Sequence, residues 1–123
     1  MLARLPRRSV VGMSENQRRK AANETVFREV NERIDSLQHT FAAVEHQPLH
    51  IICECDRIDC AEPLTVDPRI YEVTRSDSAL FFVYPGHEDD SVEDVVDTGN
   101  EYLIVRKHPG EPQEIAEQTD PRN

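Results

Sequence analysis

Apolar residues in the first third of the chain fall at Phe27, Val30, Ile34, Leu37 and Phe41, spaced 3, 4, 3, 4. That spacing lays one narrow seam along a helix, flanked by Arg28, Glu29, Glu32, Arg33 and Asp35. No Gly or Pro interrupts Glu15 to Phe41, and Ser14 followed by Gln17 matches a capping box, so a long helix over 14–41 is predicted. The seam serves either to pack the helix on its own domain or to meet a partner helix, though two heptads are short for a coiled coil. After Gln47-Pro48 the pattern changes to short runs of β-formers. Leu49–Cys53, Ala79–Tyr84 and Tyr102–Val105 read as three strands, the second stopped by Pro85-Gly86. Asp67-Pro68 reads as an N-cap and first position of a helix over 68–76, with Ile70, Tyr71 and Val73 on its apolar side. Val92, Val95 and Val96 at helical spacing in the acidic stretch Glu88–Asp97 predict a second short helix. From His108 onward Pro109, Gly110, Pro112 and Pro121 predict a loosely ordered tail over 108–123.

The expectation is an α+β fold: a long N-terminal helix, then a small three-stranded sheet with two short helices and no domain boundary within 42–107. Composition adds a constraint. With 123 residues, 37% of them apolar and 6% aromatic, one small domain with a thin core is expected, and such a domain gains from a metal, a disulfide or a partner. No apolar run approaches the roughly 20 residues of a membrane-spanning helix.

The net charge of −10 is unevenly distributed. Residues 1–20 hold six basic side chains against Glu15 alone, a net of +5, and the other 103 residues carry −15. An acidic body repels nucleic acid and anionic membrane, so only the basic arm, with Arg18-Arg19-Lys20, suits a phosphate-bearing partner. Met1–Gly12 is Arg-rich and acid-free but lacks the apolar core of a secretory signal. Residues 1–13 are therefore expected to be a disordered extension, or translation to begin at Met13.

All three cysteines, Cys53, Cys55 and Cys60, lie within eight positions. An odd, tightly spaced set makes a poor disulfide framework and a good source of soft metal ligands in a reducing compartment. Zinc prefers four tetrahedral donors of thiolate and imidazole. If strands 49–53 and 80–84 lie side by side and parallel, His87 emerges beside the cysteine loop. His50, three residues before Cys53, faces the other side of its strand, which favours His87 as the fourth ligand. Reduced structural thiols and a redox thiol are the other readings of the cluster. A site with only three ligands would leave an open position, where Glu54 or Glu88 could assist a bound water. The sequence holds no G-x-S-x-G, Walker, G-x-G-x-x-G or H-E-x-x-H motif.

Four segments, Phe27–Ile34, Cys53-Glu54-Cys55 with Cys60, Phe82–Glu88 and Ile115–Arg122, resemble a family of small uncharacterised proteins common in actinobacteria and related soil bacteria. The resemblance covers about Ser14–Arg122. It implies a bacterial cytosolic setting and matches the family's cysteine and Pro-Gly-His elements at Cys53, Cys55, Cys60 and His87. Ile58 sits in a loop that is usually more polar in that family. The sequence thus leads to a cytoplasmic, zinc-stapled, non-enzymatic module that meets a protein partner through the acidic helix or the N-terminal helix. The alternative is a small metal-dependent or thiol enzyme built on the same cysteines.

Overall fold

The computed structural model describes residues 13–41 and 47–122. The expected extension over 1–13 lies, up to residue 12, outside the described residues. The chain is an α+β fold with eight elements in order: α1 Glu15–Phe41, β1 Leu49–Ile52, β2 Pro63–Val66, α2 Pro68–Arg75, β3 Leu80–Val83, β4 Glu93–Thr98, β5 Leu103–Lys107 and α3 Glu111–Gln118. The capping box opens α1 as expected: Ser14 Oγ accepts from the Gln17 amide at 3.1 Å, and Gln17 Oε1 accepts from the Ser14 amide at 2.9 Å. Asp67 caps α2 by accepting from the Arg69 amide, with Pro68 in the first turn.

The strands form two antiparallel sheets, not one sheet of three. β1 pairs with β2, a strand the sequence reading missed, and β3, β5 and β4 lie side by side in that order. β2 carries the period-two signal, with Leu64 and Val66 buried and Pro63 and Thr65 exposed, but the stretch is short and starts with a proline.

The acidic helix predicted over 88–97 is absent: the chain turns through 88–92, and the edge strand β4 begins at Glu93. Val92 belongs to the turn before the strand, and a bulge between Val95 and Asp97 interrupts the ladder, so the three valines mimic helical spacing in the sequence without sharing one element. The tail predicted to be loosely ordered forms α3, which packs on α1. Gly110, at φ 103°, caps that helix and Pro112 lies in its first turn, so residues read as breakers are a start signal. Ala116 is buried against the rest.

A shared core of Leu49, Ile51, Leu64, Tyr71, Phe82 and Val105 joins the two sheets and α2. The buried stripe of α1 is not the predicted seam. Phe27 is buried and Ile34 partly so, but Val30 and Leu37 are exposed, and the side chain of Phe41 lies outside the described residues. Ala21, Glu24, Arg28, Asn31 and Asp35 face inward instead. This face is wettable in sequence, and most of its polar groups find partners in the fold, Arg28 Nε and Asp35 Oδ1 excepted. Arg28 donates to the Ser78 and Ala116 carbonyls at 2.7 and 2.8 Å and lies over the Phe81 ring. On α2 the inward residues are Tyr71, Thr74 and Arg75, whereas Ile70 and Val73 point to solvent.

Lys107 of β5 ties α1 to β4, donating to Glu24 at 2.7 Å and Glu93 at 2.6 Å, all three side chains being buried. Burial, assisted by the Glu93 charge and opposed by Lys107, pushes the Glu24 carboxyl up to about 8 from its usual 4.5. The folded chain therefore holds a proton that the unfolded chain releases above pH 4.5. This contribution to stability is complete below that pH and is lost as pH rises through about 8. Urea unfolding of the native chain and of Glu24→Gln should agree near pH 5 and diverge by pH 8.5, with the glutamine chain then the more stable. Parallel pH curves for the two would refute this account.

Candidate metal centre

The end of the β1–β2 hairpin carries the cysteines. The Cys53 amide donates to the Glu62 carbonyl at 2.8 Å, continuing the hairpin past β1, and the chain then turns through 55–60, with the Cys60 amide donating to Arg57. Between the two first cysteines sits Glu54, which is 0% exposed. Its amide donates to the Phe82 carbonyl at 2.7 Å. Its carboxylate accepts from the Phe82 amide at 2.9 Å, from Asn31 at 2.7 Å and from both terminal nitrogens of Arg75 at 3.1 and 2.9 Å. One side chain thereby ties the cysteine turn to α1, α2 and β3 together.

β3 supplies the histidine. Tyr84 to His87 is a turn closed by the His87 amide donating to the Tyr84 carbonyl at 2.9 Å, with Pro85 at its second position and Gly86 at φ 95° at its third. This is the arrangement of a type II turn, which requires a positive φ at that third position. It swings the His87 ring back over the cysteine loop, edge-on to Tyr84.

His87 Nδ1 lies 3.6 Å from both Cys53 Sγ and Cys60 Sγ. The donor atoms of Cys53, Cys55, Cys60 and His87 all lie within 4.8 Å of one another. A tetrahedral zinc with bonds near 2.3 Å to sulfur and 2.0 Å to nitrogen holds such donors roughly 3.5–4 Å apart, so the spacing suits one ion. The juxtaposition does not arise from parallel neighbouring strands, as the sequence reading supposed. Glu54 meets Phe82 and Cys53 meets Tyr84, so the two segments run in opposite senses and belong to different sheets. His50 is exposed on the outer face of β1, within 3.3 Å of Thr65 Oγ1, and takes no part in the cluster.

Each sulfur meets a backbone N–H. Tyr84 donates to Cys53 Sγ at 3.1 Å, and the amides of Arg57 and Glu62 serve Cys55 and Cys60. Such donors stabilise thiolate, most of all at Cys53 and Cys55, which are buried, whereas Cys60 is partly exposed. The Cys55 thiol is drawn down to about 5, first by the hydrogen bond from Cys53, against the effect of burial. Cys53 is pushed up, chiefly by that same hydrogen bond and then by burial, and burial raises Cys60. Three thiols and an imidazole so placed can hold a metal ion. The donor set of three sulfurs and one nitrogen favours a thiophilic cation over magnesium or calcium.

The other residues singled out from sequence lie elsewhere. Glu88 accepts from the Gly86 amide at 2.8 Å and braces the turn. Ile58 is exposed. Within the basic arm, Arg18 pairs with Glu111 at 2.9 Å and Lys20 with Asp56 at 3.6 Å, so acidic neighbours already occupy two of its charges. Among the described residues no helix is long and apolar enough to cross a membrane.

Fold and site together define an α+β protein with a Cys₃His cluster able to hold a metal ion. No family model, no curated protein and no solved structure matches the chain.

Proposed function

We propose that the chain is a small cytosolic, zinc-stabilised protein-interaction module without enzymatic activity of its own. The observation that carries this reading is the convergence of Cys53, Cys55, Cys60 and His87. Four donors complete the tetrahedron zinc prefers, and a closed shell stabilises a fold without offering a place for substrate. Zinc supplies Lewis acidity when bound, and here the chain's own residues direct it to structure: the N–H groups of Tyr84, Arg57 and Glu62 fix the sulfurs, and the Pro85-Gly86 turn fixes the ring.

The surface for a partner is the outward face of α1, where Val26, Val30 and Leu37 are all exposed. A run of apolar side chains on a helix face suits docking into another protein's groove. This replaces the acidic helix as the expected contact, because that segment is a turn and strand β4.

The enzyme reading draws on one feature, an open hollow of about 340 Å³ lined by Arg57, Asp59, Cys60, Glu62 and His87 among others. It places Cys60 and His87 at a surface a small molecule can reach, so release of one ligand would open a coordination position.

Metal analysis of untagged chain should give one zinc per molecule, with His87→Ala lowering retention and His50→Ala leaving it unchanged. A metal-free chain of equal stability, or the reverse order of the two variants, would reject the reading. In the same preparations, Val30→Glu with Leu37→Glu should abolish partner association while zinc content holds. Turnover dependent on Cys60 would favour the enzyme instead.

A further inference from the structure

We propose a second cation site, separate from the thiol cluster, at Asp35, His39 and Glu72, taking a first-row divalent metal through one nitrogen and two oxygen donors. Asp35 and His39 stand four residues apart on α1 and so share a face, and Glu72 comes from α2. Their donor atoms lie within 4.8 Å of one another. His39 Nε2 is 3.2 Å from Asp35 Oδ1 and 3.8 Å from Glu72 Oε2.

A second observation points to a ligand at that spot. Asp35 is 6% exposed, and its Oδ1 is buried without a hydrogen-bond partner. It faces the imidazole nitrogen at short range, yet the two lack the alignment of a hydrogen bond. Two acceptors turned toward one point, with a third oxygen beside them, are satisfied together by a cation.

The charge count agrees. Three carboxylates, Glu32, Asp35 and Glu72, converge on a single guanidinium. Arg122 donates to Glu32 at 2.6 Å and to Glu72 at 3.0 Å, and stands 3.5 Å from Asp35. With Asp35 and Glu72 both ionised, as they would be around a metal, one arginine against three carboxylates leaves two negative charges, which one divalent ion balances. Arg122 donates to both oxygens of Glu32 and to both of Glu72, at 3.0 Å to Oε1 and 3.1 Å to Oε2, so Glu72 Oε2 would meet the metal with the lone pair that Arg122 leaves free. His39 itself is 61% exposed, which gives the ion a way in.

A mixed nitrogen and oxygen set suits zinc, cobalt, nickel or manganese, whereas calcium and magnesium prefer oxygen alone. Three protein donors also leave coordination positions for water or an outside ligand, unlike the four-donor thiol cluster. The competing occupant is a proton shared between Asp35 and Glu72, since neighbouring carboxylates do not both ionise without a cation.

Cobalt(II) alone is a suitable probe. Full-length chain with zinc in the thiol cluster should bind one further Co²⁺, with weak visible bands, no sulfur-to-cobalt charge-transfer absorption, and a paramagnetically shifted His39 ring signal. His39→Ala and Asp35→Asn should each weaken this binding at least tenfold, and Glu29→Gln should not. Zinc content of the thiol cluster should be the same in all of them. Absence of binding beyond the zinc would assign the site to the shared proton and overturn the proposal. Several weak equivalents unaffected by His39→Ala would overturn it too, as diffuse attraction to an acidic surface. Because the His39 side chain is exposed, its variant decides the question even if Asp35→Asn destabilises the chain. Either failure leaves the thiol cluster untouched, so the two sites are tested independently.

Discussion

Cys53→Ser, or removal of zinc from the native chain by a strong chelator, should lower the thermal unfolding midpoint by roughly 15–30 °C. That range corresponds to a loss of about 4 kcal/mol in a domain of this size, at about 4–8 °C per kcal/mol. The loss follows from what the sulfur does. Cys53 is buried, receives the Tyr84 amide, faces His87 and sits in the core shared by the two sheets. A serine hydroxyl is a shorter and harder donor, and the remaining three ligands would have to hold the ion from one side. Structural zinc sites supply about 10–16 kcal/mol of apparent binding energy in small peptides, and whole domains have net stabilities of only about 5–15 kcal/mol. This chain has other sources of stability, notably the packing of Tyr71 on Phe82 and the Lys107 triad, so part of the fold should persist. Calorimetry with and without chelator measures the shift, and a thiol reagent should find all three cysteines reactive only after the metal is gone. An unchanged midpoint after complete stripping would place the stabilising contribution elsewhere.

The parts of this molecule that could be read in advance are those with local causes. Capping at Ser14 and Gln17, the Asp67-Pro68 start of α2 and the stop at Pro85-Gly86 each depend on a few adjacent residues, and all three are present. The three thiols were legible as a set from their spacing, but the choice of His87 rests on a parallel strand pairing that the fold does not contain, so it lies beside the thiols for another reason. What lay beyond the sequence was pairing. The partner of β1 is β2, whose signal is two apolar residues, and β4 hides its strand character behind a bulge. The inner face of α1 escaped for a different reason. Arg28 and Asp35 read as part of a charged flank, and Glu24 and Asn31 stand outside the apolar seam, because hydrophobic patterning assumes that buried means apolar. Glu24 and Arg28 are matched by partners 50 or more residues away and Asn31 by one in the cysteine turn, and only the fold reveals those partners. Both functional proposals rest on this polar interior: Asn31 reaches the residue between the cysteines, and Asp35 turns toward His39 and Glu72.

Glu54→Gln should destabilise the chain by about 3–5 kcal/mol, the usual result of removing one partner from a buried ion pair. It should also weaken zinc binding by roughly 10–100-fold, although Glu54 touches no metal ligand through its side chain. Glutamine is nearly the same size, so packing alone predicts little change. The electrostatics differ. The carboxylate accepts four hydrogen bonds from Asn31, Phe82 and Arg75, whereas an amide offers one oxygen and turns an N–H toward the remaining donors. Arg75, whose side chain is 2% exposed, would then carry an unmatched charge beside the stacked rings of Tyr71 and Phe82. Because Glu54 lies between Cys53 and Cys55, any shift of its backbone moves both sulfurs. A double exchange separates the two effects. Glu54→Met with Arg75→Met replaces the pair by apolar side chains and should restore most of the stability lost in either single variant, since a packed apolar pair often equals a buried salt bridge. Zinc affinity should recover less, because the doubly apolar chain no longer bonds Asn31 and the Phe82 amide to the cysteine turn. If stability and affinity instead rise and fall together across all three variants, the ion pair acts only on the fold, and the position of the sulfurs is set by the hairpin and the Tyr84 turn alone.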